Sequence, residues 1–108
     1  MIQSSRIFFV SNELTVECIP VAPGVPTKGW PVTLEHEAAT PLAAGDGRIM
    51  VVDVTGVMHC WEQATGRRLW GVSLGSSPSG APTIESRRAY VGTTDGRVMV
   101  FDISDGRN

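Results

Sequence analysis

An internal repeat of about 40 residues constrains what this chain can fold into more than any other feature. The run Thr55-Gly56-Val57-Met58-His59-Cys60-Trp61 lies over Asp95-Gly96-Arg97-Val98-Met99-Val100-Phe101 at an offset of 40. The match extends from Met50/Tyr90 and Val51/Val91 through Trp61/Phe101 to Gly66/Gly106. A third copy lies upstream at an offset of 42, where Arg6-Ile7-Phe8-Phe9-Val10 matches Arg48-Ile49-Met50-Val51-Val52, Cys18 matches Cys60 and Gly24 matches Gly66. Trp30 then matches Trp70 at 40, because the first turn is two residues longer. One such match could arise by chance. Three phased copies of a glycine and several apolar runs, with a tryptophan in two of them, point to a repeated structural unit.

A period near 40 filled with strands alone is that of a β-propeller blade. Ile49-Met50-Val51-Val52 and Ala89-Tyr90-Val91 are apolar on both faces, as a strand sandwiched between neighbouring sheets must be. Val57 to Glu62 and Arg97 to Asp102 form the next strands, each after a glycine suited to a two-residue hairpin. Ala64-Thr65-Gly66 and Ser104-Asp105-Gly106 are turns, and Arg68 to Leu74 makes an outer strand. The link Gly75 to Gly80 leads to Ala81-Pro82-Thr83-Ile84, the next inner strand. No segment holds a helical apolar period over ten residues. The expected fold class is therefore all-β: a β-propeller fragment of about two and a half four-stranded antiparallel blades. It forms one segment, 1–108, with blade 1 over approximately 1–34, blade 2 over 38–74 and a partial blade 3 over 79–108. That gives about ten strands, with the first inner strand clipped at Met1-Ile2-Gln3-Ser4 and the last outer strand wanting after Gly106-Arg107-Asn108. Open blade faces and edges invite pairing. Two arrangements would cover them: a longer parent chain, or copies that close a ring and exchange strands.

Cys60-Trp61-Glu62-Gln63-Ala64-Thr65-Gly66-Arg67-Arg68-Leu69-Trp70 resembles the tryptophan-docking motif of quinoprotein-type (PQQ-like) propellers. The motif's small residue is Cys60, its acid Glu62, its glycine Gly66 and its tryptophan Trp70. The third copy keeps Val100, Asp102 and Gly106; the first keeps Cys18, Gly24 and Trp30 but has Pro20 at the acidic position. The resemblance implies a structural role for these ten residues. A blade must dock on its neighbours, and a Trp covers a large apolar area. A small residue and a glycine let the ring approach the backbone, and the acid can accept from the indole or from a backbone N–H. A Trp-Asp repeat is the nearest alternative, since Phe101-Asp102 and Trp61-Glu62 sit where such a pair falls. The chain has no Gly-His pair ahead of its strands, and its Trp stands four residues after the glycine, which fits the quinoprotein type better.

The chemistry-bearing residues form no catalytic, cofactor or metal constellation. Cys18 and Cys60 hold one repeat position on successive blades, whose sheets pack ~10 Å apart, beyond disulfide reach. Both are expected to be free, buried and inert. His59 and Cys60 are adjacent on a strand and point to opposite faces, so they cannot share a metal. Glu35-His36-Glu37 is expected as a solvated link. The serines of Gly75-Ser76-Ser77-Pro78-Ser79-Gly80 miss the Gly-x-Ser-x-Gly spacing of a nucleophile elbow. A formal net charge of −2 argues against a nucleic-acid partner, and no apolar run is long enough to span a membrane. Quinoprotein dehydrogenases hold a quinone and calcium, whereas other propellers of this type are protein-binding platforms. The expectation is a non-catalytic module that scaffolds or binds a protein partner, or self-associates through exposed blade edges, without a cofactor. The alternative is part of a quinoprotein oxidoreductase whose pyrroloquinoline quinone ligands lie outside this chain.

Overall fold

The computed structural model describes residues 2–3, 6–12, 14–20 and 29–107. Eleven strands form three antiparallel sheets among them, with no helix. The first sheet runs in sequence order through β1 (Ile2–Gln3), β2 (Arg6–Ser11), β3 (Thr15–Pro20) and β4 (Val32–Thr33). The second holds β5 (Ala43–Gly45), β6 (Arg48–Val52), β7 (Val57–Glu62) and β8 (Arg68–Ser73). The third holds β9 (Thr83–Glu85), β10 (Arg88–Gly92) and β11 (Val98–Asp102). Each sheet is a meander of hairpins, the least costly way to pair consecutive strands.

The repeat seen in the sequence reappears in the backbone pairing. Met50 faces Cys60 across β6–β7, and Tyr90 faces Val100 across β10–β11. The bridge Ala38↔Asp53 recurs 40 residues on as Pro78↔Thr93, so each link enters its sheet beside the same hairpin. The hairpins themselves differ from the two-residue type. Asp53 N–H donates to Val57 O and Gly56 N–H to Asp53 O, which closes a three-residue loop; Thr93, Gly96 and Arg97 do the same. A type I turn followed by a left-handed residue gives this geometry, and Gly56 (φ 83°) and Gly96 (φ 88°) supply that residue.

The core lies between sheets. Ile49 and Val51 of β6 point to the first sheet and pack with Phe8, Val16, Leu34 and Trp61. Met50 and Val52 point the other way and pack with Ala89, Val91, Phe101 and Ile103. Ile49 to Val52, the four residues of β6 after Arg48, are fully buried, which is why this run is apolar on both faces. The inner strands of the second and third sheets nearly touch: a Cβ placed on Gly45 would lie 3.3 Å from Ile84 Cβ.

Candidate functional site

The motif's tryptophans and the glycines Gly66 and Gly106 lie at the two seams between sheets. Trp70, on β8, reaches across to the turn after β11. Its indole Nε1 donates to the Ile103 carbonyl at 2.8 Å. Its ring lies over Gly106, where an added Cβ would be 2.6 Å from Trp70 Cε3. Trp30 makes the matching reach from the first sheet to the second, donating to the Gln63 carbonyl at 3.0 Å. Here the backbones themselves meet: a Cβ on Gly66 would lie 2.2 Å from Gly29 O. Trp30 also packs edge-on against Phe8, with ring centroids 5.1 Å apart. Each Trp therefore lies against the turn 33 residues downstream, on the next sheet.

The acids act differently from one of the two roles expected of them. Neither accepts from an indole. Asp102 Oδ1 accepts from the backbone N–H of Ser104 at 2.8 Å and from its hydroxyl at 2.6 Å. Glu62 Oε1 accepts from the Thr65 hydroxyl at 2.6 Å. Each carboxylate closes its own turn, an Asx-type arrangement that leaves the indole to the carbonyl of the residue after the acid. The Ser104 contacts hold the Asp102 carboxyl below its ordinary value. Gly66 and Gly106 close these turns with φ of 72° and 74°, their N–H groups donating to Glu62 O and Asp102 O.

The three small residues differ in their surroundings. Cys60 pairs with Trp70 across β7–β8 and is buried in the core between the second and third sheets; burial pushes its thiol up to about 12, against the nearby Arg48 and Arg68. Cys18 is free like Cys60, but half-buried rather than buried as expected. Val100 lines an open hollow of about 410 Å³ with Arg88, Asp102, Asp105 and Arg107. Gly24 lies outside the described residues. Glu35, His36 and Glu37 are exposed, as a solvated link should be. Among the described residues no group of three His, Cys, Asp or Glu side chains could hold a metal, and no helix is long and apolar enough to cross a membrane.

Two features had gone unread in the sequence. Arg48 Nε donates to the same Ile103 carbonyl that Trp70 engages, at 3.2 Å. The signal was Arg6, Arg48 and Arg88 at one repeat position. The second feature is a polar cluster on the second sheet. Asp53 is 1% exposed, and its carboxylate accepts from the backbone N–H of Thr55 and Val57, the Thr55 hydroxyl and His59 Nε2. Burial pushes the Asp53 carboxyl up, but these donors together outweigh it and hold the group below its ordinary value. His59 stacks on Trp61 with centroids 5.8 Å apart, and Arg68 meets the far side of its ring. With Thr33, Leu34 and Glu35 these residues line a cleft of about 320 Å³ between the first and second sheets.

Comparison with known proteins places this geometry. The model of a PQQ-like repeat family, described as outer membrane protein assembly factor BamB, matches residues 6–108. The chain belongs to that family. Comparison with curated protein sequences gives no match. Among solved structures, BamB from Moraxella catarrhalis superposes with a TM-score of 0.83 at 19% identity, covering 98% of this chain and 32% of that one. A europium-containing methanol dehydrogenase gives 0.75 at 18% identity, covering 98% and 22%. A quinohemoprotein alcohol dehydrogenase from Pseudomonas putida HK5 gives 0.76 at 16%, covering 99% and 19%. At such identities the likeness is one of fold. The three sheets are thus β-propeller blades, all-β as expected, and the chain spans about a third of the BamB structure's length.

Proposed function

We propose that this stretch of PQQ-like propeller is a non-catalytic scaffold that binds a protein partner, in the manner that the family's description as an assembly factor for outer membrane proteins suggests. One observation carries the reading: the motif's tryptophans, glycines and acids are engaged in seams and turns between blades. Trp30 and Trp70 fasten each blade to the next, Gly66 and Gly106 admit them, and Glu62 and Asp102 brace the receiving turns. Cys60 fills the position beside the Trp70 ring. These groups leave no side chain of the motif for substrate. Partner contacts then fall to the loop tips, where propellers vary without disturbing their seams.

Two measurements test this reading. In the organism that carries the chain, deleting its gene is expected to lower the amount of folded β-barrel protein in the outer membrane, scored by heat-modifiable migration. An unchanged barrel profile would remove the assembly role. Adding pyrroloquinoline quinone and calcium to the purified protein is expected to leave its visible absorbance unchanged and to give no dye-linked alcohol or sugar oxidation. Activity gained on addition would replace the scaffold reading with the quinoprotein one.

A further inference from the structure

His59 links a buried carboxylate to an exposed guanidinium, and the seams between blades use none of the three. Its Nε2 lies 2.7 Å from Asp53 Oδ2, and its Nδ1 meets Arg68 Nη1. A guanidinium has N–H donors and no acceptor, so Nδ1 must be the acceptor. An accepting ring nitrogen carries no proton. Nε2 therefore bears the ring's one proton and donates it to Asp53, and the imidazole is neutral. One negative and one positive charge are joined through an uncharged ring.

A second feature, independent of the hydrogen bonds, is built around this link. Gly71 lies directly across from His59 in the β7–β8 pairing. It is absent from the residues with positive φ, so the backbone does not require a glycine there. The Arg68 guanidinium occupies the space a side chain would take: a Cβ at Gly71 would lie 2.1 Å from it. The bare backbone of Gly71 forms the trough in which Arg68 lies to reach the ring. Trp61 stacks on the ring with the two planes 19° apart.

We propose that Asp53, His59 and Arg68 form a proton-operated latch at the cleft between the first two blades. With His59 neutral, Arg68 lies flat over Gly71. A proton arriving at Nδ1 removes the acceptor and sets imidazolium against guanidinium, while the contact to Asp53 becomes an ion pair and tightens. Asp53 is buried and held by its own turn, so Arg68, on an exposed and flexible stem, is the group that leaves. The charged and titratable groups facing the ring are Asp53 from the end of β6, Arg68 from β8 and Glu35 from the segment after β4. Glu35 offers the freed guanidinium a counter-charge across the cleft. Protonation of the ring thus moves a cation from the sheet into the cleft.

Nitrogen-resolved NMR of the histidine rings and arginine side chains of the full chain, followed from pH 8.5 to 4.5, tests the latch. The exposed His36 serves as the reference within the same molecule. At pH 8.5 His59 is expected as the Nε2–H tautomer alone, and the Arg68 side-chain resonance is expected to shift with the same midpoint as the His59 ring. His59→Gln keeps a donor for Asp53 and an acceptor for Arg68 but takes up no proton, so the Arg68 shift should vanish. Gly71→Ala displaces Arg68 and should uncouple the two titrations while the backbone amide spectrum stays dispersed. An Nδ1–H tautomer at high pH would overturn the proposal. So would an Arg68 resonance that ignores His59 in the wild-type chain, or one that still titrates in either variant.

Discussion

The two seams use one device in two ways. Between the second and third blades a tryptophan ring lies on Gly106, and the Ile103 carbonyl receives both Trp70 Nε1 and Arg48 Nε. Between the first and second blades the contact at the glycine is backbone on backbone, Gly29 against Gly66, and Trp30 leans on Phe8 instead. The hairpins behind the seams differ as well. In the second blade a buried carboxylate, Asp53, organises the β6–β7 loop; 40 residues on, Thr93 takes its place, and the carboxylate has moved to the exposed Asp95, paired with Arg97. A repeat thus specifies where a blade needs a polar anchor more strictly than which side chain supplies it.

The largest expected effect separates the two hairpins. Asp53→Ala removes a buried carboxylate and strands its donors, which should cost about 3–5 kcal/mol in denaturant unfolding. Thr93→Ala, at the matching position, should cost about 1 kcal/mol. The difference also depends on pH. The folded Asp53 carboxyl sits below its ordinary value of about 3.9, so its stabilisation is complete above that value and is lost as pH falls through the folded one. The penalty of Asp53→Ala measured at pH 7 should therefore shrink as the pH is taken below the ordinary carboxylate value. Equal costs at the two hairpins would mean that the loops, not their anchors, hold these blades.

Next come the glycines. Gly66→Ala and Gly106→Ala both force a β-carbon into a left-handed backbone, a common cost of about 1–2 kcal/mol. At Gly106 the obstacle is a ring that can tilt; at Gly66 it is a carbonyl held by its own chain. Gly66→Ala should therefore lower stability by about 3–5 kcal/mol, and Gly106→Ala by about 2–3 kcal/mol. A reversed order in thermal or denaturant unfolding would show that the backbone contact at the first seam yields more easily than the ring.

The shared carbonyl at the second seam gives a subtler effect. Trp70→Phe leaves Arg48 on Ile103 O, and Arg48→Met leaves Trp70 there, so each change should cost about 1 kcal/mol through the hydrogen bond. Removing both leaves the carbonyl without these two donors, and the double variant should lose about 1 kcal/mol more than the two single losses combined. Simple additivity would show that the two donors act on Ile103 independently.

Much of this was legible in advance, for reasons that particular residues make plain. Trp70, Gly106 and the apolar β6 run have sequence signatures, since bulk, absence of bulk and two-sided burial each restrict residue type. The acceptor of the indole has none: a backbone carbonyl can belong to any residue, so the expected acid, Glu62 or Asp102, gave way to Gln63 and Ile103. The hairpin length is not legible, because a Gly after Thr or Asp suits both a two-residue and a three-residue loop, and pairing alone decides between them. The sequence sets His59 beside Cys60, whereas its partner Asp53 stands six residues back across a turn. An Asp opening a Thr-Gly loop, with a His two residues into the following strand, was the signal available.

The smallest test concerns the two cysteines, which hold one repeat position on the two sides of this comparison. Burial raises both thiols, and it raises Cys60 to about 12 even though Arg48 and Arg68 pull the other way. The thiolate is the reactive form, so Cys60 should resist alkylation at pH 8.5 in the folded chain while the half-buried Cys18 reacts slowly. Mass spectrometry after timed iodoacetamide exposure reads both sites at once. Trp70→Ala strips the ring that pairs with Cys60, so it should speed labelling there while leaving Cys18 at its former rate. If Trp70→Ala speeds both sites together, the blades open as one unit and the two seams are not energetically separate. If Cys60 alone responds, each tryptophan guards only its own seam, and the repeat is a string of local fastenings.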